Sequence, residues 1–164
     1  MIIRKEQRED ISAITSVIDI AFTNHLHSTN NESAIVNKLR ENQKLTLSLV
    51  ATENNEIIGH VGFSRIFVNS CDYDWFGLAP LSVLPNYQGC SIGETLVNRG
   101  IEELQKSGAK GCVLLGNPEY YSRFGFKHDD DLILPGVPQS YFLALAFSEF
   151  VPHGNVSFDR AFDC

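Results

Sequence analysis

Leu81-Ser82-Val83-Leu84-Pro85-Asn86-Tyr87-Gln88-Gly89-Cys90-Ser91-Ile92-Gly93 joins an apolar run to a long amphipathic segment through a loop of small residues. The run stops at a proline turn, and a helical periodicity begins just past Ser91. Small residues at Gly89, Ser91 and Gly93 allow several backbone N–H groups to converge beside a helix N-terminus. Such an arrangement suits a pyrophosphate, because the amides and the helix dipole both favour negative charge. The spacing is neither the dinucleotide G-x-G-x-x-G nor a P-loop, which would end in Gly-Lys-Ser/Thr.

Working outward, Trp75 to Val83 is apolar on both faces and reads as a central strand. Ser91 to Ser107 keeps Ile92, Leu96, Val97, Ile101 and Leu104 on one helical face, and Gly108 is a natural stop. Upstream, Ile2 to Arg4 reads as a first strand. Asp10 is expected to cap a helix with Ile11, Ile14, Val17, Ile18, Ala21 and Phe22 on one side. Asn31 to Arg40 reads as a second helix. Leu45, Leu47 and Leu49 alternate with Thr46 and Ser48, as in a half-buried strand, and the turn Asn54-Asn55 leads into a strand from Ile57 to Val68. Downstream come a short strand at Gly111 to Leu115, a short helix opened by Asn117-Pro118 and ending near Gly125, and strands at Leu132 to Leu134 and Tyr141 to Phe147. A tail runs on to Cys164. This mixed order predicts an α/β (α+β) layer with a largely antiparallel sheet, in one domain spanning residues 1–164.

Composition excludes several classes. The chain is 43% hydrophobic and 20% charged, as ordinary globular domains are. Its apolar runs fall well short of the roughly 18 residues of a membrane span, and no signal-peptide pattern opens it. A cytoplasmic, membrane-free protein is expected. The net charge of −7 argues against a nucleic-acid partner, since phosphate affinity needs a Lys/Arg field. Cys71, Cys90, Cys112 and Cys164 show neither Cys-x-x-Cys pairing nor zinc spacing, so free thiols and no metal are expected. His25 and His27 read as surface residues or acceptor-site lining.

Gln88, Ser91 and Gly93 match the Gln/Arg-x-x-Gly-x-Gly/Ala element of the GNAT superfamily of N-acetyltransferases, with Ser91 in place of the first glycine. A second element, Gly116-Asn117-Pro118-Glu119-Tyr120-Tyr121-Ser122-Arg123-Phe124-Gly125-Phe126, resembles the Tyr-x-x-x-Gly-Phe ending of the same superfamily. Its fuller form is similar to that of the YhbS-like branch of predicted acetyltransferases, where an aspartate usually stands at the position of Asn117. Gly77 to Val83 and the tail from Gly154 to Phe162 resemble that branch too.

The resemblance implies a mixed, mostly antiparallel sheet of about seven strands flanked by four helices. It implies direct transfer of an acetyl group from acetyl-CoA to an amine of a small molecule or a protein, in a ternary complex, by a monomer or homodimer. Coenzyme A would be held by Leu81, Ser82, Val83, Gln88, Gly89, Cys90, Ser91, Ile92, Gly93, Asn117 and Tyr121. It would lie where the Trp75–Val83 strand splays from Gly111–Leu115, with the backbone of Leu81 and Val83 pairing with pantetheine. Pro80 would mark a bulge that frees an N–H for the thioester oxygen. Register with Gly125 and Phe126 selects Tyr121 as the acid for the departing thiolate, leaving Tyr120 to pack or to line the acceptor pocket. Trp75 to Val83 lacks the glutamate often found there as base. Asp72, Asp74, Glu119 and His60 are the alternatives, and none is singled out. A catalytically weak acyl-CoA-binding or acyl-carrier-partner module is the competing reading of the same groove.

Overall fold

The computed structural model describes residues 1–23, 28 and 30–163. His25, His27 and Cys164 lie outside the described residues. Strand β1 (Ile2–Lys5) leads into helix α1 (Ile11–Phe22), then α2 (Glu32–Glu41), β2 (Leu45–Glu53), β3 (Glu56–Arg65), β4 (Phe67–Val68) and β5 (Trp75–Val83). Helix α3 (Ile92–Lys106), β6 (Gly111–Leu115), α4 (Pro118–Tyr121), β7 (Lys127–His128), β8 (Leu132–Ile133), β9 (Phe142–Ala146) and β10 (Gly154–Ser157) complete the order.

Seven strands form the main sheet in the order β1-β2-β3-β5-β6-β9-β7. Every neighbouring pair in it is antiparallel except β5 and β6. Asn54 and Asn55 close the β2–β3 hairpin at φ 52° and 65°, the left-handed pair that a two-residue turn of this hand needs and that asparagine tolerates. Helix α3 covers one face of the sheet, where Phe63, Leu96, Val97, Leu104 and Phe126 are buried together. Gly100 allows the close approach, for a Cβ there would stand 2.4 Å from the Phe63 ring. Helices α1 and α2 cover the other face, with Ile14, Ile18, Val36 and Val50 between them and the strands.

Four expectations are corrected. Asp10 does not cap α1 with its side chain. Its carboxylate instead accepts from the Gln7 N–H (2.6 Å) and from both Arg4 terminal nitrogens (2.6 and 3.1 Å), closing the turn before the helix. The strand expected to run to Val68 ends at Arg65, and Phe67–Val68 enters a second sheet, β4-β10-β8. That sheet also takes Leu132–Ile133 and the tail segment Gly154–Ser157, so Leu132 does not extend the main sheet. Strands of two to four residues carry too little alternation to be read, and here they are held by a shared core of Trp75, Val113, Phe142 and Val156. Lastly, β2 is buried on both faces from Leu47 to Thr52. Its buried polar members find partners on the neighbouring segments: Ser48 bonds to His60 and Glu6, and Thr52 donates to the Ile2 carbonyl.

Candidate active site

The site begins where two strands part. Strands β5 and β6 pair for only three rungs, Trp75 with Gly111, Phe76 with Cys112 and Gly77 with Val113. Beyond Gly77, β5 continues to Val83 bonded to β3 alone. The register with β3 slips between Phe63–Leu78 and Val61–Leu81, so one extra residue on β5 bulges at Ala79–Pro80. The bulge reverses the strand's phase. Phe76 and Leu78 face α3 before it, and Leu81 and Val83 face the same way after it. The Leu84 N–H donates to the Ile58 carbonyl at 2.9 Å. By alternation Ser82 bonds across to β3, while the main-chain groups of Leu81 and Val83 turn toward the gap. The Gln88 amide donates to the Val83 carbonyl at 3.1 Å and ties the loop to the strand end.

Gly89 at φ 80° and Ser91 at φ 64° are both left-handed, and α3 starts immediately after them. The first helical bond runs from the Thr95 N–H to the Ser91 carbonyl. The amides of Ile92, Gly93 and Glu94 are therefore the N-terminal donors that a helix leaves without carbonyl partners. Positive potential from the 15-residue helix gathers at the same place. Leu81, Val83, Gln88, Gly89, Ser91, Ile92 and Gly93 line one groove of about 380 Å³ with Tyr87, Glu94, Tyr120 and Arg123. Seven of the residues expected to hold the donor are thus brought together.

The other four are placed differently. The Ser82 side chain is buried on the opposite face of β5, outside the groove. Cys90 is exposed, its thiol 3.9 Å from the Gln88 carbonyl. Asn117 accepts from the Glu119 N–H at 2.9 Å as the cap of α4. Tyr121 stacks edge-on against Tyr120, with centroids 4.9 Å apart, and packs against Phe124 and Phe126. Burial pushes its phenol up to about 12, and neighbouring Tyr120 and Cys112 push the same way. The Cys112 thiol also meets the Leu78 backbone, one residue past the last β5–β6 rung. Tyr121 therefore stands near the point where the strands part.

Sequence reasoning missed the far wall of the groove. The Tyr120 hydroxyl reaches over the first turn of α3, and the Arg123 guanidinium lies 4.4 Å from the Tyr120 ring centroid. Arg123 also meets Glu94 at 3.5 Å across the rim. The three-residue spacing of Tyr120 and Arg123 was the available signal, since such positions share one side of a helical turn.

The candidate bases separate cleanly. Asp72 and Asp74 are both engaged by Arg65, at 2.8 and 3.0 Å, at the entry to β5. Glu119 lies exposed in the first turn of α4. His60 is fully buried on β3 opposite Ser82, with Nε2 2.8 Å from Ser48 Oγ. Desolvation lowers its pKa to about 4, against the field of Glu6 and with that of Arg40. Among the described residues no group of three His, Cys, Asp or Glu is arranged to hold a metal ion, and no helix is long and apolar enough to cross a membrane.

Residues 13–126 match the model of the acetyltransferase (GNAT) family. The chain belongs to that family. As a GNAT acetyltransferase it is 36% identical, over 146 residues, to the uncharacterized N-acetyltransferase YhbS of Escherichia coli K12, covering 86% of this chain and 84% of the relative. A GNAT family acetyltransferase from Brucella melitensis, solved in complex with acetyl-CoA, superposes with a TM-score of 0.90 at 42% identity, covering 99% of this chain and 97% of that one. YhbS from Escherichia coli, solved in complex with CoA, gives 0.88 at 34% identity, over 99% and 92% of the two chains. The expected GNAT fold, with its seven-stranded mixed sheet and four helices, is borne out, and the three-stranded second sheet is added to it.

Proposed function

We propose that this GNAT acetyltransferase binds acetyl-CoA in the Leu81–Gly93 groove and passes the acetyl group directly to an amine in a ternary complex. The carrying observation is that one strand end, one loop and one helix N-terminus line a single groove, next to main-chain groups that face the gap beside β6. The acetyl-CoA complex of the Brucella relative, at 42% identity, supports the same use here.

Each part of the donor has a chemical counterpart. The pyrophosphate would meet the amides of Ile92 to Glu94 and the positive end of α3. Pantetheine would add to the open side of β5 as a short strand, through Leu81 and Val83. The bulge at Ala79–Pro80 supports a further role, in which a main-chain N–H beside it would polarise the thioester oxygen. The amine nitrogen attacks the carbonyl carbon, the C–N bond forms, the C–S bond breaks, and Tyr121 donates toward the leaving thiolate.

For the acceptor we propose an amine of a small molecule or a protein, in keeping with the acidic balance of the chain, and no nucleic acid. Residues 1–164 would work as one unit, because Trp75, Val113, Phe142 and Ala144 of the main sheet are buried with Val156 of the second. Calorimetry with coenzyme A, together with thiol release from acetyl-CoA across a panel of primary amines, tests the reading. Saturable binding and amine-dependent thiol release are expected. Failure to bind coenzyme A would overturn it.

A further inference from the structure

Two opposite charges face each other across the donor groove. Glu94 belongs to the first turn of α3, and Arg123 follows α4 on the far wall. Among the described residues, Arg123 is the one cation that lines the groove and Glu94 the one anion. The chain as a whole carries a net charge of −7, which offers a polyanionic donor little general attraction. The local pull on phosphate therefore falls to the amides at the start of α3 and to Arg123.

Glu94 draws on both. A carboxylate in the first turn of a helix is ordinary, since the dipole favours it. What sets Glu94 apart is its partner, which lies across the groove and 29 positions along the chain. That partner is held at one end only. Arg123 Nε donates to the Tyr120 carbonyl at 2.9 Å, and the guanidinium carbon lies 4.4 Å from the Tyr120 ring centroid. These two contacts fix the side chain at the rim and leave its terminal nitrogens to the groove. One of them reaches Glu94, at 3.5 Å, the outer edge of hydrogen-bond range. Both side chains are about half exposed, and ion pairs of such geometry hold weakly. A phosphate would meet the same guanidinium with two parallel bonds and a larger charge.

We infer that Glu94 is a built-in competitor for the donor's phosphate, holding Arg123 while the groove is empty and yielding it to a phosphate of coenzyme A. The inference rests on the acetyl-CoA reading above. On entry the phosphate takes over the terminal nitrogens of Arg123, and the Glu94 carboxylate turns to solvent. When the spent coenzyme A leaves, Glu94 reclaims the guanidinium. Affinity for the donor is thereby set below what the groove could reach, and release of the product is eased. Arg123 is a positioning residue for the donor, far from the acetyl carbon in role, and Glu94 sets how freely it is given up.

Calorimetry with coenzyme A on the full chain, joined to steady-state rates with acetyl-CoA, tests the exchange. Arg123→Gln is expected to weaken coenzyme A binding about tenfold. It should raise the acetyl-CoA KM in proportion, with a far smaller change in kcat. The loss should shrink as sodium chloride rises from about 0.05 to about 0.5 M, because salt screens an exposed charge. Glu94→Gln should act in the opposite direction, tightening coenzyme A about threefold and strengthening product inhibition by the same factor. Glu94 is exposed enough for that variant to carry the test where Arg123→Gln does not fold. Dephospho-coenzyme A locates the contact. An Arg123 effect that vanishes with it assigns the 3′-phosphate, and one that persists assigns the pyrophosphate. Parental affinity in Arg123→Gln, or a loss that salt leaves untouched, overturns the inference. So does a Glu94→Gln variant that binds coenzyme A no more tightly than the parent. A parent that does not bind coenzyme A at all overturns the donor reading instead.

Discussion

A Cβ on Gly93 would stand 3.2 Å from the Tyr120 hydroxyl, closer than most such contacts. The first turn of α3 and the short α4 thus meet across the groove, and a side chain at position 93 would narrow the space between them. Gly93→Glu adds both bulk and a negative charge there. It is expected to weaken coenzyme A binding by at least about 100-fold, about 2.7 kcal/mol, and to leave the circular dichroism spectrum unchanged. Calorimetry returning the parental affinity would rule out the amides of α3 as the phosphate site.

Tyr121→Phe removes a hydroxyl near the parting of β5 and β6. Its phenol, at about 12, is a weaker acid than a thiol near 8.5. In the proposed role it would serve the leaving sulfur mainly through a hydrogen bond, and the loss should lie toward the low end of general-acid effects, about 10²-fold in kcat. Acetyl-CoA affinity should hold, and Tyr120→Phe should be milder. Steady-state rates with the best acceptor decide between the two tyrosines; a Tyr121→Phe variant as fast as the parent removes Tyr121 from the chemistry.

Cys90 is an exposed loop residue whose side chain is directed to the Gln88 carbonyl. Only its backbone belongs to the loop geometry. Cys90→Ala should bind coenzyme A within about threefold of the parent, under about 0.7 kcal/mol. A larger loss by calorimetry would reveal a role for the thiol.

His60 also links stability to pH. Its pKa falls from 6.5 to about 4 on folding, so the unfolded chain takes up the proton first. The stabilisation is complete above about pH 6.5 and is lost as pH falls toward 4, amounting to about 3 kcal/mol. His128, raised by its bond to Asp130, contributes with the opposite sign, so the comparison is made between parent and variant. Urea unfolding from pH 7.5 to 4.5 should show a steeper loss for the parent than for His60→Gln. Parallel curves would mean that folding does not shift the His60 pKa.

Much of this architecture could be read from residues close together in the chain. The helical period of Ile92 to Leu104, the apolar run of Trp75 to Val83 and the Asn117-Pro118 start of α4 all recur as expected. So does the small-residue loop, whose left-handed Gly89 and Ser91 aim the helix start at the groove. What escaped reading depends on distant partners. Strands β4, β8 and β10 exist only because they find one another. Ser82 seemed part of the donor loop, yet a bulge two residues earlier turns its side chain the other way. Nothing near His60 in the sequence marks it out from Asp72, Asp74 and Glu119, because the chain that links it through Ser48 to Glu6 and Arg40 comes from three separate segments.

The extra residue at Ala79–Pro80 acts as a frame-shift within β5. Its insertion turns Leu81 and Val83 to the groove and buries Ser82 on the other face. Excising Ala79 would restore an even rhythm and exchange the two linings, sending a hydroxyl into the donor chamber and two hydrocarbon side chains against His60. One backbone irregularity therefore decides which side chains of β5 line the groove, and that lining cannot be re-engineered without keeping count of the residue.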